Sequence, residues 1–158
     1  MSDPLTLPLG LRLMHAARDL AITVPALAAL EVKRRDEDTA ITPESDKPKR
    51  PRLIISATDE GRTAKYAPIR NFRLEFAIRG NAKVPGGQAD PFQSLCGALE
   101  TLLDTTNLGT ALTSSTWAIA VMLAIRTAGC ARSIEGDLRT ESYVIEVKAV
   151  GTEHTAES

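Results

Sequence analysis

The chain has 158 residues, 43% of them apolar and 25% charged, with a formal net charge of -1. That length supports one compact domain that buries most of its unfolded surface. The balanced charge supplies no basic field for nucleic acid, and the three Phe, two Tyr and one Trp are scattered rather than clustered as base-stacking platforms. Sequence-specific nucleic-acid binding is therefore not expected. Neither is a membrane span, because the longest apolar run, Trp117 to Ile125, has nine residues.

The first element is LGLRLMHAARDLAITV. Leu9, Leu13, Ala17, Leu20 and Val24 recur at three- and four-residue steps, the apolar face of a helix. Arg12, Arg18 and Asp19 fall mostly off that face. Pro25 costs a helix interior a backbone donor, so the helix is expected to end near Thr23 and a short second turn, PALAALEV, to follow.

Lys33 to Arg52 is dense in charge and carries Pro43, Pro48 and Pro51, with Ile41 as its one large apolar side chain. It buries too little surface to offset the entropy of ordering, and reads as a charged surface loop or arm. Across Glu31 to Arg52, seven basic residues nearly cancel six acidic ones, so KPKRPR makes a mixed-charge solvated stretch rather than a nucleic-acid site.

Arg52 to Asp59 is a β-branched run and reads as a strand, with DEGRT as its turn and Gly61 free to take positive φ. RNFRLEFAIRG alternates along its length. Phe72, Leu74, Phe76 and Ile78 face one way, and Asn71, Arg73, Glu75, Ala77 and Arg79 the other, as in a half-buried antiparallel strand. After the loop Gly80 to Ala89, Asp90 is the expected helix cap and Pro91 the first helical residue. Leu95, Leu99 and Leu102 form that helix's apolar stripe, helped by Phe92, Cys96 and Leu103. Asn107 and Gly109 are the expected terminators.

Residues 117–126 suit a strand or a helix. Strict alternation of large and small side chains favours a strand, with Trp117, Ile119, Val121, Leu123 and Ile125 on one face. Glu135 to Asp137 is the expected turn before a last strand, LRTESYVIEVKAV, with Tyr143, Ile145 and Val147 inward. Residues 1–150 form one α+β domain on this reading: an antiparallel sheet of about four strands with helices packed against it. Residues 151–158 form a polar tail that frays.

No catalytic constellation emerges. His15 lies in the first helix and His154 in the tail, and neither has the spacing of a zinc site. GNAKVPGG matches neither glycine-rich phosphate fingerprint, and Asp90 would repel an anion from the helix start that follows. Cys96 and Cys130 form no C-x-x-C and read as buried free thiols, which suits a reducing compartment. Without a basic n-region, MSDPLTLPLG does not read as a signal peptide. No cofactor, metal or catalytic residue is expected.

The arrangement resembles the tail terminator, or tail completion, proteins of long-tailed bacteriophages. The opening helix with VPALAAL is similar to that family's first helix and proline corner. RNFRLEFAIRG leading into DPFQSLCGALETLLD resembles its central strand and main helix, and ARSIEGDLRTESYVIEVKAV its closing hairpin. The likeness runs from Leu9 to Val150 and lies in arrangement, with no single specific motif; the long charged insertion departs from it.

The resemblance implies a structural protein without catalysis. Its ring, a hexamer in the family, caps the tail tube and joins it to the head connector. The implied partners are further copies of the chain, a tail tube protein, and a head-completion or connector protein. The implied location is the head–tail junction of the virion, after assembly in the host cytoplasm. Arg73, Glu75, Arg79, Asn81, Lys83, Val84, Pro85, Gly86 and Gly87 are the implied interface. Another neck protein, a cytosolic binding module, or a small enzyme with a site shared between subunits around His15 remain as alternatives. Ala82 to Gly87 holds no core residue, so its deletion is expected to leave the thermal midpoint near that of the wild type while blocking assembly. A large fall in the midpoint would show that the segment is part of the core.

Overall fold

The computed structural model describes residues 4–28, 31–34, 52–62, 68–81, 91–126, 131–135 and 138–155. A 3-10 turn at Pro4–Thr6 precedes α1 (Leu9–Ala21) and α2 (Pro25–Ala28). Strands β1 (Glu31–Arg34), β2 (Arg52–Arg62) and β3 (Arg70–Asn81) follow, then α3 (Pro91–Thr105) and α4 (Leu108–Leu112). The chain goes on through β4 (Ile119–Arg126), β5 (Ala131–Glu135), β6 (Leu138–Gly151) and a last helical turn, α5 (Thr152–Thr155).

This is an α+β fold: an antiparallel sheet with helices packed on one face. The strands lie in the order β1-β2-β3-β6-β4. β6 pairs with β3 along one edge, from Arg70↔Ala149 to Asn81↔Leu138. Its other edge is shared, β5 taking Leu138 to Ser142 and β4 taking Ile145 to Gly151. β1 adds a four-residue parallel edge on β2.

Alternation decides which face is buried. Phe72, Leu74, Phe76 and Ile78 of β3 are buried with Leu53 and Ile55 of β2, and with Tyr143, Ile145 and Val147 of β6. The register sets them side by side, as in Ile55↔Phe76↔Tyr143. Over this face lie Leu13, Ala16 and Ala17 of α1, Leu99 and Leu103 of α3, and Leu108 and Leu112 of α4, in one continuous core. Gly10 lets α1 approach closely: a Cβ there would sit 3.3 Å from Cε1 of Phe72. α1 ends where expected. Thr23 Oγ1 donates to the Leu20 carbonyl (2.6 Å), and Pro25 opens α2, whose Leu27 is fully buried.

Several expectations need correction. Glu31 and Val32 pair as strand with β2 instead of extending the second helical turn. Lys33, Arg34 and Arg52 are strand residues too, so the charged excursion is shorter at both ends; residues 35–51 lie outside the described residues. DEGRT does not end its strand. β2 runs on to Arg62 through a bulge between Asp59 and Gly61, where Gly61 takes φ 97° and its N–H donates to Asp59 Oδ1 (2.8 Å). Asn107 starts a helix rather than stopping one: its side-chain oxygen accepts from Thr110 N–H (3.3 Å) as the cap of α4, and Gly109 lies within that helix.

The segment 117–126 is largely a strand, but its face changes. Trp117 precedes β4 in a turn. Ile119 and Val121 point into the core, and a register shift between Val121 and Leu123 turns Leu123 and Ile125 outward. The tail also departs from expectation, since Gly151 closes β6 and Thr152–Thr155 forms α5. Asp90, Cys130, Gly136 and Asp137 lie outside the described residues.

Phe76 is fully buried between β2 and β6, so Phe76→Ala is expected to destabilise the fold by about 3–5 kcal/mol, read from denaturant midpoints. A loss under about 0.5 kcal/mol would mean that the inward face is misassigned.

Candidate functional site

Two buried charge clusters and one open face are the main polar features of the described residues. The first cluster centres on Arg12, which is 4% exposed. Its Nε donates to the Leu7 carbonyl (3.0 Å) and its Nη2 to the Leu5 carbonyl (3.1 Å). Nη1 donates to the Ala118 carbonyl (3.2 Å) and to Glu153 Oε2 (2.9 Å). Ala118 holds a left-handed φ of 54°, and its carbonyl also accepts from Thr152 N–H (3.0 Å). One guanidinium thus ties the N-terminal turn, the turn before β4, and α5. This satisfies backbone carbonyls that burial would otherwise strand.

The second cluster centres on Glu141, which is 2% exposed. Cys96 Sγ of α3 donates to Oε2 (2.7 Å), Arg132 Nε of β5 donates to Oε1 (2.6 Å), and Arg139 Nη2 donates to Oε2 (3.3 Å). Nearby, Tyr143 O–H donates to the Cys96 carbonyl (3.4 Å), and the Arg126 guanidinium lies 4.9 Å above the Tyr143 ring. Arg126 also pairs with Asp104 (2.6 Å) and Glu100 (3.2 Å) of α3. The whole array fastens α3 to the sheet. Burial is the largest single influence on Glu141 and pushes its carboxyl up. The thiol hydrogen bond, then Arg132 and Arg139, together outweigh it and hold the group below the ordinary 4.5.

His15 stacks on the Trp117 indole, with ring centroids 3.8 Å apart, and Trp117 Nε1 donates to Asp19 Oδ2 (2.7 Å). The stack joins α1 to the turn before β4. No group of three or more His, Cys, Asp or Glu suited to a metal ion occurs among the described residues. No helix among them is long and apolar enough to cross a membrane.

The open face is the side of the sheet away from the helices. Of the residues expected at an interface, Arg73 is exposed there, between Thr58 and Glu146. Glu75, between Ser56 and Val144, and Arg79, between Arg52 and Thr140, are half-buried. Asn81 is the last residue of β3. Lys83, Val84, Pro85, Gly86 and Gly87 lie outside the described residues. Sequence reasoning missed the other end of this face. There Leu123 and Ile125, 41% and 50% exposed, join Glu60, Asn71, Glu146 and Lys148 around a hollow of about 290 Å³.

It also missed both charge clusters. Arg12 was placed off the apolar face of its helix but is buried. Arg139 and Glu141 are in phase with Tyr143, Ile145 and Val147, a period-two signal that places both on the inward face. No protein-family model matches the sequence, and no curated protein matches it.

A carboxylate held below its unfolded value stabilises the fold above that value, and the benefit goes as pH falls through the folded one. The stability gap between wild type and Glu141→Gln is therefore expected to be constant from neutral pH down to about 5 and to shrink below 4.5. Urea midpoints across that range check it. A gap that stays flat down to about pH 3 would show that Glu141 binds its proton equally in the folded and unfolded chain, so that its pKa is not lowered by the fold.

Proposed function

We propose that this chain is a structural protein of a long-tailed bacteriophage, a tail terminator. In this reading its copies form a ring, a hexamer by the family resemblance, that caps the tail tube and receives the head connector. The observation that supports it most is the run of elements: a helix, a proline corner, the paired β2 and β3, the main helix α3, and the antiparallel β5–β6 pair. All the helices that contribute to the core lie on one side of a single sheet.

Such a one-sided sheet suits assembly. It leaves a face and two terminal strands for neighbouring copies, and a repeated head-to-tail contact closes into a ring when its rotation allows. Arg73, Glu75 and Arg79 belong to that face, and the Gly80–Ala89 connection between β3 and α3 is the other proposed contact. The buried polar groups are spent on fastening elements together, which fits a part that carries load rather than turns over substrate. The reading assigns no cofactor, metal or catalytic residue, and places the chain at the head–tail junction.

Immunogold electron microscopy of phage particles from the source culture tests it. Antibody to this chain is expected to label the head–tail junction. Intact particles without label, together with a blot of denatured particles that lacks the chain, would remove the virion role and favour a cytosolic binding module.

A further inference from the structure

Among the described residues, β4 ends the sheet on one side and β1 ends it on the other. The two halves of β4 differ. Over its first half the turn before it covers the outer edge, since Ser114 bridges Ile119 and Thr113 Oγ1 accepts from Val121 N–H (3.0 Å). From Met122 onward no described strand lies along that outer edge. Met122, Leu123 and Ile125 are 52%, 41% and 50% exposed, three of the five large apolar side chains that the described residues leave exposed.

An apolar edge strand pairs with other chains unless a charge, a proline or a bulge guards it. Met122 to Ile125 holds neither a charge nor a proline. The bulge here does the opposite of guarding, because it turns Leu123 and Ile125 outward. The adjacent charge, Arg126, is drawn back onto α3 by Asp104 and Glu100. Among the described residues this edge is apolar, unguarded and uncovered.

Charge selects the occupant. Four carboxylates, Glu60, Glu100, Asp104 and Glu146, surround this edge against three cations, Arg126, Lys148 and Arg73, the last set opposite Glu146. At the opposite edge, β1 carries Glu31, Lys33 and Arg34 in sequence, and β2 and β3 set Arg52, the register partner of Glu31, opposite Arg79, so that cations outnumber acids there. Two copies meeting β4 to β4 would set carboxylates against carboxylates. A copy offering β1 brings the complementary sign.

We propose that Met122–Ile125 of one copy pairs with Glu31–Arg34 of the next, four residues against four, extending the sheet head to tail. The strand directions agree. β1 runs with β2 and β6, and β4 runs against them, so a neighbour's β1 in the same orientation meets β4 antiparallel. The contact rests on the self-association in the reading above, and identifies the two surfaces that make it.

The test is sedimentation velocity on the full chain with two variants. One is Leu123→Lys with Ile125→Lys, which spoils the β4 edge. The other is Lys33→Glu with Arg34→Glu, which spoils β1. The wild type is expected to assemble as its concentration rises, and each variant to stay monomeric. An equimolar mixture of the variants is expected to give a dimer and nothing larger, because each retains one sound edge. A Lys33→Glu/Arg34→Glu variant that assembles like the wild type overturns the contact, as does a mixture that associates no more than its parts. Wild-type assembly unaffected by either variant overturns these edges and leaves the ring standing. A wild type that stays monomeric over about a hundredfold range of concentration overturns both. Should the double-lysine variant lower the thermal midpoint, Ile125→Lys alone takes its place.

Discussion

The structure depends on β6. Its fourteen residues pair with β3 along one edge and with β5 and β4 in succession along the other. A strand paired on both edges has nearly all its backbone donors and acceptors satisfied within the sheet, so its register determines that of its neighbours. A slip of one residue would carry Tyr143, Ile145 and Val147 to the open face and bring Glu146 and Lys148 beneath the helices. That exchange would cost several buried apolar side chains and strand two charges, and no local rearrangement offsets it.

The charged residues of the core belong to the same design. Glu141 stands where β6 runs past the apolar core, and it is met by a thiol from α3 and guanidinium groups from β5 and β6. Arg12 does the corresponding work at the other end, gathering carbonyls from the N-terminal turn and from Ala118 together with the Glu153 carboxylate. Glu141 and Arg12 are tolerable in the interior because each has several hydrogen-bond partners there. Removing one partner from such a cluster costs more than the pair contributes. These clusters give the helices and the chain ends one way to sit on the sheet.

Among the described residues the helices all lie on one side, which leaves the opposite face and the outer half of β4 uncovered by them. The bulge in β4 matters most here. It leaves Val121 in the core and turns Leu123 and Ile125 out, converting a strand that would have been buried throughout into one with a sticky half. The same residue types serve the fold before the bulge and an outside surface after it.

Much of this fold was legible in the sequence. The three-and-four spacing of Leu9, Leu13 and Ala17, the alternation from Phe72 to Ile78, the Pro91 helix start and the inward phase of Tyr143 to Val147 are local periodicities, and a chain obeys them wherever its neighbours lie. The open face could also be read in part, since Arg73 alternates with Phe72 and Leu74. Other features depend on what a residue meets across the fold. Arg12 looks like a surface arginine until the Ala118 carbonyl, 106 residues away, and the Glu153 carboxylate meet it. Asn107 reads as a stop until a new helix begins on its side chain. The pairing of β1 with β2 and the flip after Val121 arise from hydrogen bonds between segments far apart in the chain. Periodicity along the sequence determined which faces are apolar; only tertiary pairing decided where a register shifts and which apolar side chains stay uncovered, because those depend on partners that no local window contains.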